Sequence, residues 1–285
     1  MYAKRNHNAS HYSATRGLLV LTVVALSVLA AAAASGRAAS AQQPPGPRLE
    51  VSASIELEDS PRQYDLVQML VEFAPGASNP SHRVNGRAIF TVLTGEITRV
   101  EEGGETTVFK AGQTFRESGS DHFDVEVNRG AESAQLLATF LLQPGAPPLI
   151  IEPGATPPAV PPRPIASART TIGTIPEKFT LTHGIIVTEA GGVAPPHTHD
   201  GWQLVTTLAG KPIVVLGGLV HTGSTFVDRP GVVHEGSNPG PEQARFMFAA
   251  VNPLGAPPAR PVASGAAQMP AIQPPSTGDG GLAGR

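Results

Sequence analysis

The chain repeats itself, and the repeat limits its architecture more than any other feature. Displacing the first half by 115 residues lays Gly76 on Gly191, His82 on His197, Val84 on His199, Ala88 on Gln203 and Gly95 on Gly210. Further on, His122 falls on His234 at a displacement of 112. Both halves then close alike, ATFLLQPGAPP at 138–148 against FAAVNPLGAPP at 248–258. Internal self-similarity of this kind means two copies of one fold.

Each copy reads as strands. Leu49, Val51, Ala53, Ile55 and Leu57 alternate with polar residues, the period of a half-buried strand. Residues 88–100 form a β-prone run that Gly103-Gly104 turns back into 106–109, and 133–143 is a dense apolar strand. In the second copy 184–189, 203–208, 212–216, 224–227 and 244–251 take the same parts. No window of helical length shows a 3.6-residue period, and 31 glycines and 29 prolines supply turns. An all-β chain of two tandem barrels follows. The first barrel is expected over 49–143, a linker over 144–168, the second barrel over 169–255 and a disordered Pro/Gly/Ala-rich tail over 256–285. Nine prolines between 144 and 164 deny that stretch its ladder donors and favour an extended connector.

The first 41 residues are expected to be a secretory signal peptide. Lys4, Arg5 and Arg16 precede an apolar run over 18–34, and Ala39-Ser40-Ala41 offers small residues before a cut at Gln42. An uncleaved anchor is the alternative, since the run is just long enough to span. Removal gives a secreted or periplasmic protein with no stable membrane association. No cysteine is present, so stability must come from core burial. The formal charge is −3, but residues 1–41 carry four basic residues and no acid; without them 16 basic residues face 23 acidic ones. A mildly acidic mature chain without a basic cluster argues against nucleic acid as a partner. A small-molecule substrate or ligand is the expected partner, and homo-oligomers are left open.

Chemistry concentrates in the second copy. Gly191-Gly-Val-Ala-Pro-Pro-His197-Thr-His199-Asp-Gly-Trp-Gln203 is followed by Gly210, then by Pro230-Gly231-Val-Val-His234-Glu-Gly-Ser-Asn238. Imidazoles at i and i+2 of a strand share one face. The two stretches resemble the motifs of the cupin family, with one departure: Gln203 stands where the family has glutamate. Gly223 also lies one residue further from its proline than the second motif expects. The resemblance implies a jelly-roll (double-stranded β-helix) barrel in each copy and one divalent transition metal, Fe, Mn, Ni, Cu or Zn, on His197, His199 and His234, with Gln203 at the fourth position. Glutamine offers only a neutral carbonyl and no useful proton acceptor. It either joins the site or merely orients a water or pairs with a neighbouring strand. Three histidines without a carboxylate also occur in cupins, among them thiol and diketone dioxygenases. The implied function is dioxygenase-type oxidation of a small enolic, diketone or phenolic substrate. The alternatives are a non-catalytic small-molecule-binding cupin or a metal-dependent isomerase or decarboxylase.

The first copy keeps only His82 and His122 of this pattern. Val84 and Ala88 replace the second histidine and the carboxylate position, and Glu126 is read in place of the asparagine. A metal-free scaffold is expected there, with Arg83 and Arg87 repelling a cation if they reach the pocket. Asp200 is expected in solvent, Trp202 in outer packing, and His183 and His221 as ordinary strand or surface residues.

Overall fold

A computed structural model describes residues 44–262 apart from 60, 61, 120, 121, 223 and 224. The expected signal segment and the tail beyond 262 lie outside the described residues, within which every regular element is a strand.

In the first copy β11 (Arg163–Ile172), β2 (Tyr64–Phe73), β9 (Ala134–Leu142), β4 (Arg87–Thr94) and β7 (Thr114–Ser118) form one antiparallel sheet. A second sheet orders β10 (Leu149–Ile151), β3 (His82–Val84), β8 (Asp124–Val127), β5 (Glu96–Glu101) and β6 (Thr106–Lys110). Between them Val67, Phe90, Ile97, Phe115 and Phe140 make an apolar core. The second copy repeats the scheme. Its sheets are β1 (Arg48–Glu58), β12 (Lys178–Thr188), β19 (Ala244–Pro253), β14 (Trp202–Ala209), β17 (Thr225–Asp228), and β16 (Leu219–Thr222), β15 (Ile213–Leu216), β18 (His234–Ser237), β13 (Val193–Thr198), β20 (Arg260–Pro261). Val205, Phe226, Phe246 and Phe248 fill that interior. Two tandem jelly-roll barrels are the architecture, as the repeat predicts.

The entering strands are exchanged. β1 precedes the first copy in the chain but pairs with β12 of the second, and β11 precedes the second but pairs with β2 of the first. Gly184 permits the close approach of β1, because a side chain there would stand 2.2 Å from the Val51 carbonyl. The proline-rich stretch, expected as an extended connector, is built into the first copy: β10 pairs with β3, and Ser78 N–H donates to Val160 O at 3.0 Å. Of its nine prolines only Pro164 lies in a strand, on the edge strand β11, where a missing donor costs least; the others lie in turns and irregular segments.

The outer faces of the two large sheets meet in a shared core. Tyr64, Leu66, Ile89 and Leu141 of the first copy pack with Ile172, Phe179, Leu181 and Leu204, and Trp202 lies against this cluster. A buried polar row crosses the same contact. His183 of β12, with no exposed surface, has Nε2 2.8 Å from Thr91 Oγ1 and Nδ1 3.0 Å from Thr139 Oγ1. Gln68 Nε2 donates to Phe248 O at 2.6 Å. His183 is thus a strand histidine, but one buried between the copies rather than on the surface.

Candidate metal centre

The sequence brings the three predicted imidazoles together. His197, next to last in β13, pairs with His234 at the start of β18, so the antiparallel register alone places these two side chains on one face. His199 follows immediately after β13. Gly201 lets the chain turn there against β19, where a Cβ would meet Val251 O at 2.0 Å. Ring centroids lie 4.0 Å apart for His197 and His234 and 4.9 Å apart for His199 and His234. One ligand atom from each of the three falls within 4.8 Å of the others, and His199 Nε2 stands 3.4 Å from His234 Nε2.

Hydrogen bonds behind the rings set their tautomers. His197 Nδ1–H donates to Pro195 O at 2.7 Å and His199 Nδ1–H to Pro258 O at 2.6 Å, which leaves each Nε2 with its lone pair. The Gln203 amide lies 2.8 Å from His199 Nδ1. That nitrogen already gives its proton to Pro258, so the amide can bond it only with its oxygen turned to the ring, the reverse of the orientation in which Nε2 is the near atom. Gln203 therefore braces His199 from behind. Burial pushes the His199 imidazole down to about 4 and that of His234 to about 3, the neighbouring imidazoles adding to both. At neutral pH these rings are uncharged, the form that binds metal.

A residue not anticipated from the sequence joins them. Asp228 on β17 is the register partner of Gln203, is only 1% exposed and has its Oδ2 3.6 Å from His234 Nε2. Neither of its carboxylate oxygens has a hydrogen-bond partner, and burial raises its carboxyl to about 7. An orphaned buried carboxylate beside the His234 imidazole fits a divalent cation held on the three histidines, whose charge it would help to balance. The alternation of β17, with Phe226 and Asp228 on the inward face, was the available signal.

The residues after 255 reach back to the site. β20 pairs with β13, Pro258 holds His199, and Arg260 donates twice to Asp200, both at 2.6 Å. Residues 256–262 of the expected disordered tail therefore belong to the folded barrel, and Asp200 is ion-paired rather than simply solvated.

The first copy departs from its expected pattern. His82 matches His197 down to an Nδ1–H bond to Pro80 O at 3.0 Å. Its partner in register is Asp124, however, in the place His234 holds in the second copy. His122 is exposed and does not correspond to His234. Asn128, not Glu126, corresponds to Asn238: both side-chain amides tie the same loop, donating to Glu132 O and Glu242 O respectively. The closing segments already aligned at a displacement of 110, and carrying that value back to Asp124 and Asn128 was the missed signal. Arg83 lies over the Phe123 ring and Arg87 points to Asp59, so neither enters the pocket.

The cupin domain model matches residues 69–140 and 184–250. A search of curated proteins finds no match. Similar solved structures include vicilin from Corylus avellana (hazelnut), 11% identical with a TM-score of 0.51, covering 75% of this chain and 84% of that one. They also include AerE from Microcystis aeruginosa, 16% identical with a TM-score of 0.45, covering 71% of this chain and 98% of that one. At these identities the likeness concerns the fold. With a cupin match in each half and the same strand order in both, this chain is a two-domain member of the cupin superfamily.

Proposed function

We propose that this protein is an exported bicupin whose C-terminal barrel holds a divalent transition metal on His197, His199 and His234 and oxidises a small enolic, diketone or phenolic compound by dioxygenase-type chemistry. The observation that carries the reading is the convergence of three imidazoles and one unpartnered carboxylate at an apolar interior. Fe(II), Mn(II), Ni(II), Cu(II) and Zn(II) all suit the donor set. Bound there, such a metal supplies Lewis acidity and, if redox-active, a place for O₂ beside a chelating substrate.

The chain's own residues do the remaining work. Pro195 and Pro258 carbonyls fix the tautomers that present Nε2, and Gln203 keeps the His199 ring in place. Val205, Phe226 and Phe248 give an apolar wall suited to a planar carbon skeleton. Asp228 offers the proton acceptor that Gln203 is not, for the hydroxyl of an enol or phenol.

Metal analysis of the purified protein, followed by oxygen-uptake assays against enols, 1,3-diketones and phenols, tests the reading. Metal-dependent uptake that His199→Ala abolishes is expected. Binding of such compounds to metal-loaded protein without any uptake would replace catalysis with small-molecule binding.

A further inference from the structure

We infer that the N-terminal barrel has a cation site of its own, formed by His82, Asp124 and Glu126 with Glu117 beside them, and that it favours a harder divalent cation than the three-imidazole centre, Mn(II) being the best match. One ligand atom from each of His82, Asp124 and Glu126 lies within 4.8 Å of the others. His82 Nε2 is 3.4 Å from Glu126 Oε2 and 3.8 Å from Asp124 Oδ1. The Nδ1–H of His82 is committed to Pro80, so the nitrogen facing the carboxylates is the one with the lone pair.

These groups are buried without the partners that burial demands. His82 and Glu126 are 1% exposed, Asp124 6% and Glu117 7%. Both oxygens of Glu117, Oδ1 of Asp124 and Oε1 of Glu126 lack a hydrogen bond. Arg99 is the cation that reaches the cluster, with Nε 3.2 Å from Asp124 Oδ2 and Nη1 3.7 Å from Glu117 Oε1, and it is shared with Glu101 at 2.6 Å. Three buried carboxylates against one guanidinium leave two negative charges in excess, the charge a divalent cation neutralises. One imidazole among carboxylate oxygens suits Mn(II), whereas three imidazoles suit Ni(II), Cu(II) or Zn(II) better.

The test uses full-length protein stripped of metal and titrated with MnCl₂, free Mn(II) being read by its electron paramagnetic resonance signal. His199→Ala disables the C-terminal centre and isolates the first barrel. The expected result is one Mn(II) bound per chain in His199→Ala, a melting temperature raised by Mn(II), and binding at least tenfold weaker once Glu126→Gln is added. Circular dichroism confirms folding; Glu126→Gln removes a buried charge and should leave the metal-free protein no less stable. A cluster that is only an ion-pair network around Arg99 gives the opposite: no Mn(II) bound by His199→Ala, or binding indifferent to Glu126→Gln, and a lower metal-free melting temperature for Glu126→Gln. Any of these overturns the site. Failure of the C-terminal centre would show separately, as wild-type metal content unaffected by His199→Ala.

Discussion

Gln203 and Asp228 face one another across β14 and β17 as direct register partners. The carboxylate absent from position 203 is present one strand away, on the same inward face. Asp228→Asn should weaken divalent metal binding about tenfold or more, since it removes a buried anion beside His234. Exchanging the two groups in the double variant Gln203→Glu with Asp228→Asn should restore much of that loss, because the glutamate would accept His199 Nδ1–H and make the ring a better donor. Calorimetric titration with a divalent metal measures both. Equal affinities for wild type and Asp228→Asn would remove Asp228 from the site.

The C-terminal segment should matter to the metal although it supplies no ligand. Ending the chain after Pro257 deletes the Pro258 carbonyl behind His199 and the Arg260 partner of Asp200. Loss of such outer contacts typically costs 10–100-fold in affinity. Ending it after Val262 instead should leave affinity unchanged. The same titration on the two truncated proteins separates the cases.

His183 makes stability fall with acid. Burial holds its imidazole down to about 3 in the folded protein, against 6.5 when exposed. The unfolded chain therefore binds the extra proton between these values, so the contribution of neutral His183 is complete above pH 6.5 and is lost progressively as pH falls towards 3. From pH 7 to pH 5 the loss is about 2 kcal/mol. His183→Gln, which can still reach both threonines, should flatten that part of the profile. Denaturant unfolding of metal-free protein at the two pH values gives the comparison, and parallel losses in wild type and variant would contradict it.

Export is tested at the chain's start. Mature protein from periplasm or medium should begin near Gln42, behind the Ala39-Ser40-Ala41 site. Intact mass spectrometry reads this directly; a membrane-retained form starting at Met1 would mean an anchor.

Much of the fold was legible because strand alternation and the repeat act locally. Residues 203–208 and 244–251, read as strands from composition, lie within β14 and β19. The three histidines were legible because fixed spacing on paired strands fixes their meeting. The first-barrel cluster was not, because 42 residues separate His82 from Asp124 while 37 separate His197 from His234. The extra length lies largely in the longer β5–β6 hairpin, which shifts every later correspondence and made His122 a false partner. Asp228 was missed for another reason: cross-strand neighbours are set by register, which a single strand's sequence does not contain.

The exchanged entry strands give the molecule a mechanical order different from its chain order. A pull at residue 44 strips β1 from β12, so the load falls first on the C-terminal barrel and not on the barrel that follows β1 in sequence. A recombination joint placed in the proline-rich stretch would likewise carry off a barrel without its own edge strand and leave behind one wearing a foreign edge. The heritable unit of this architecture is the crossed pair.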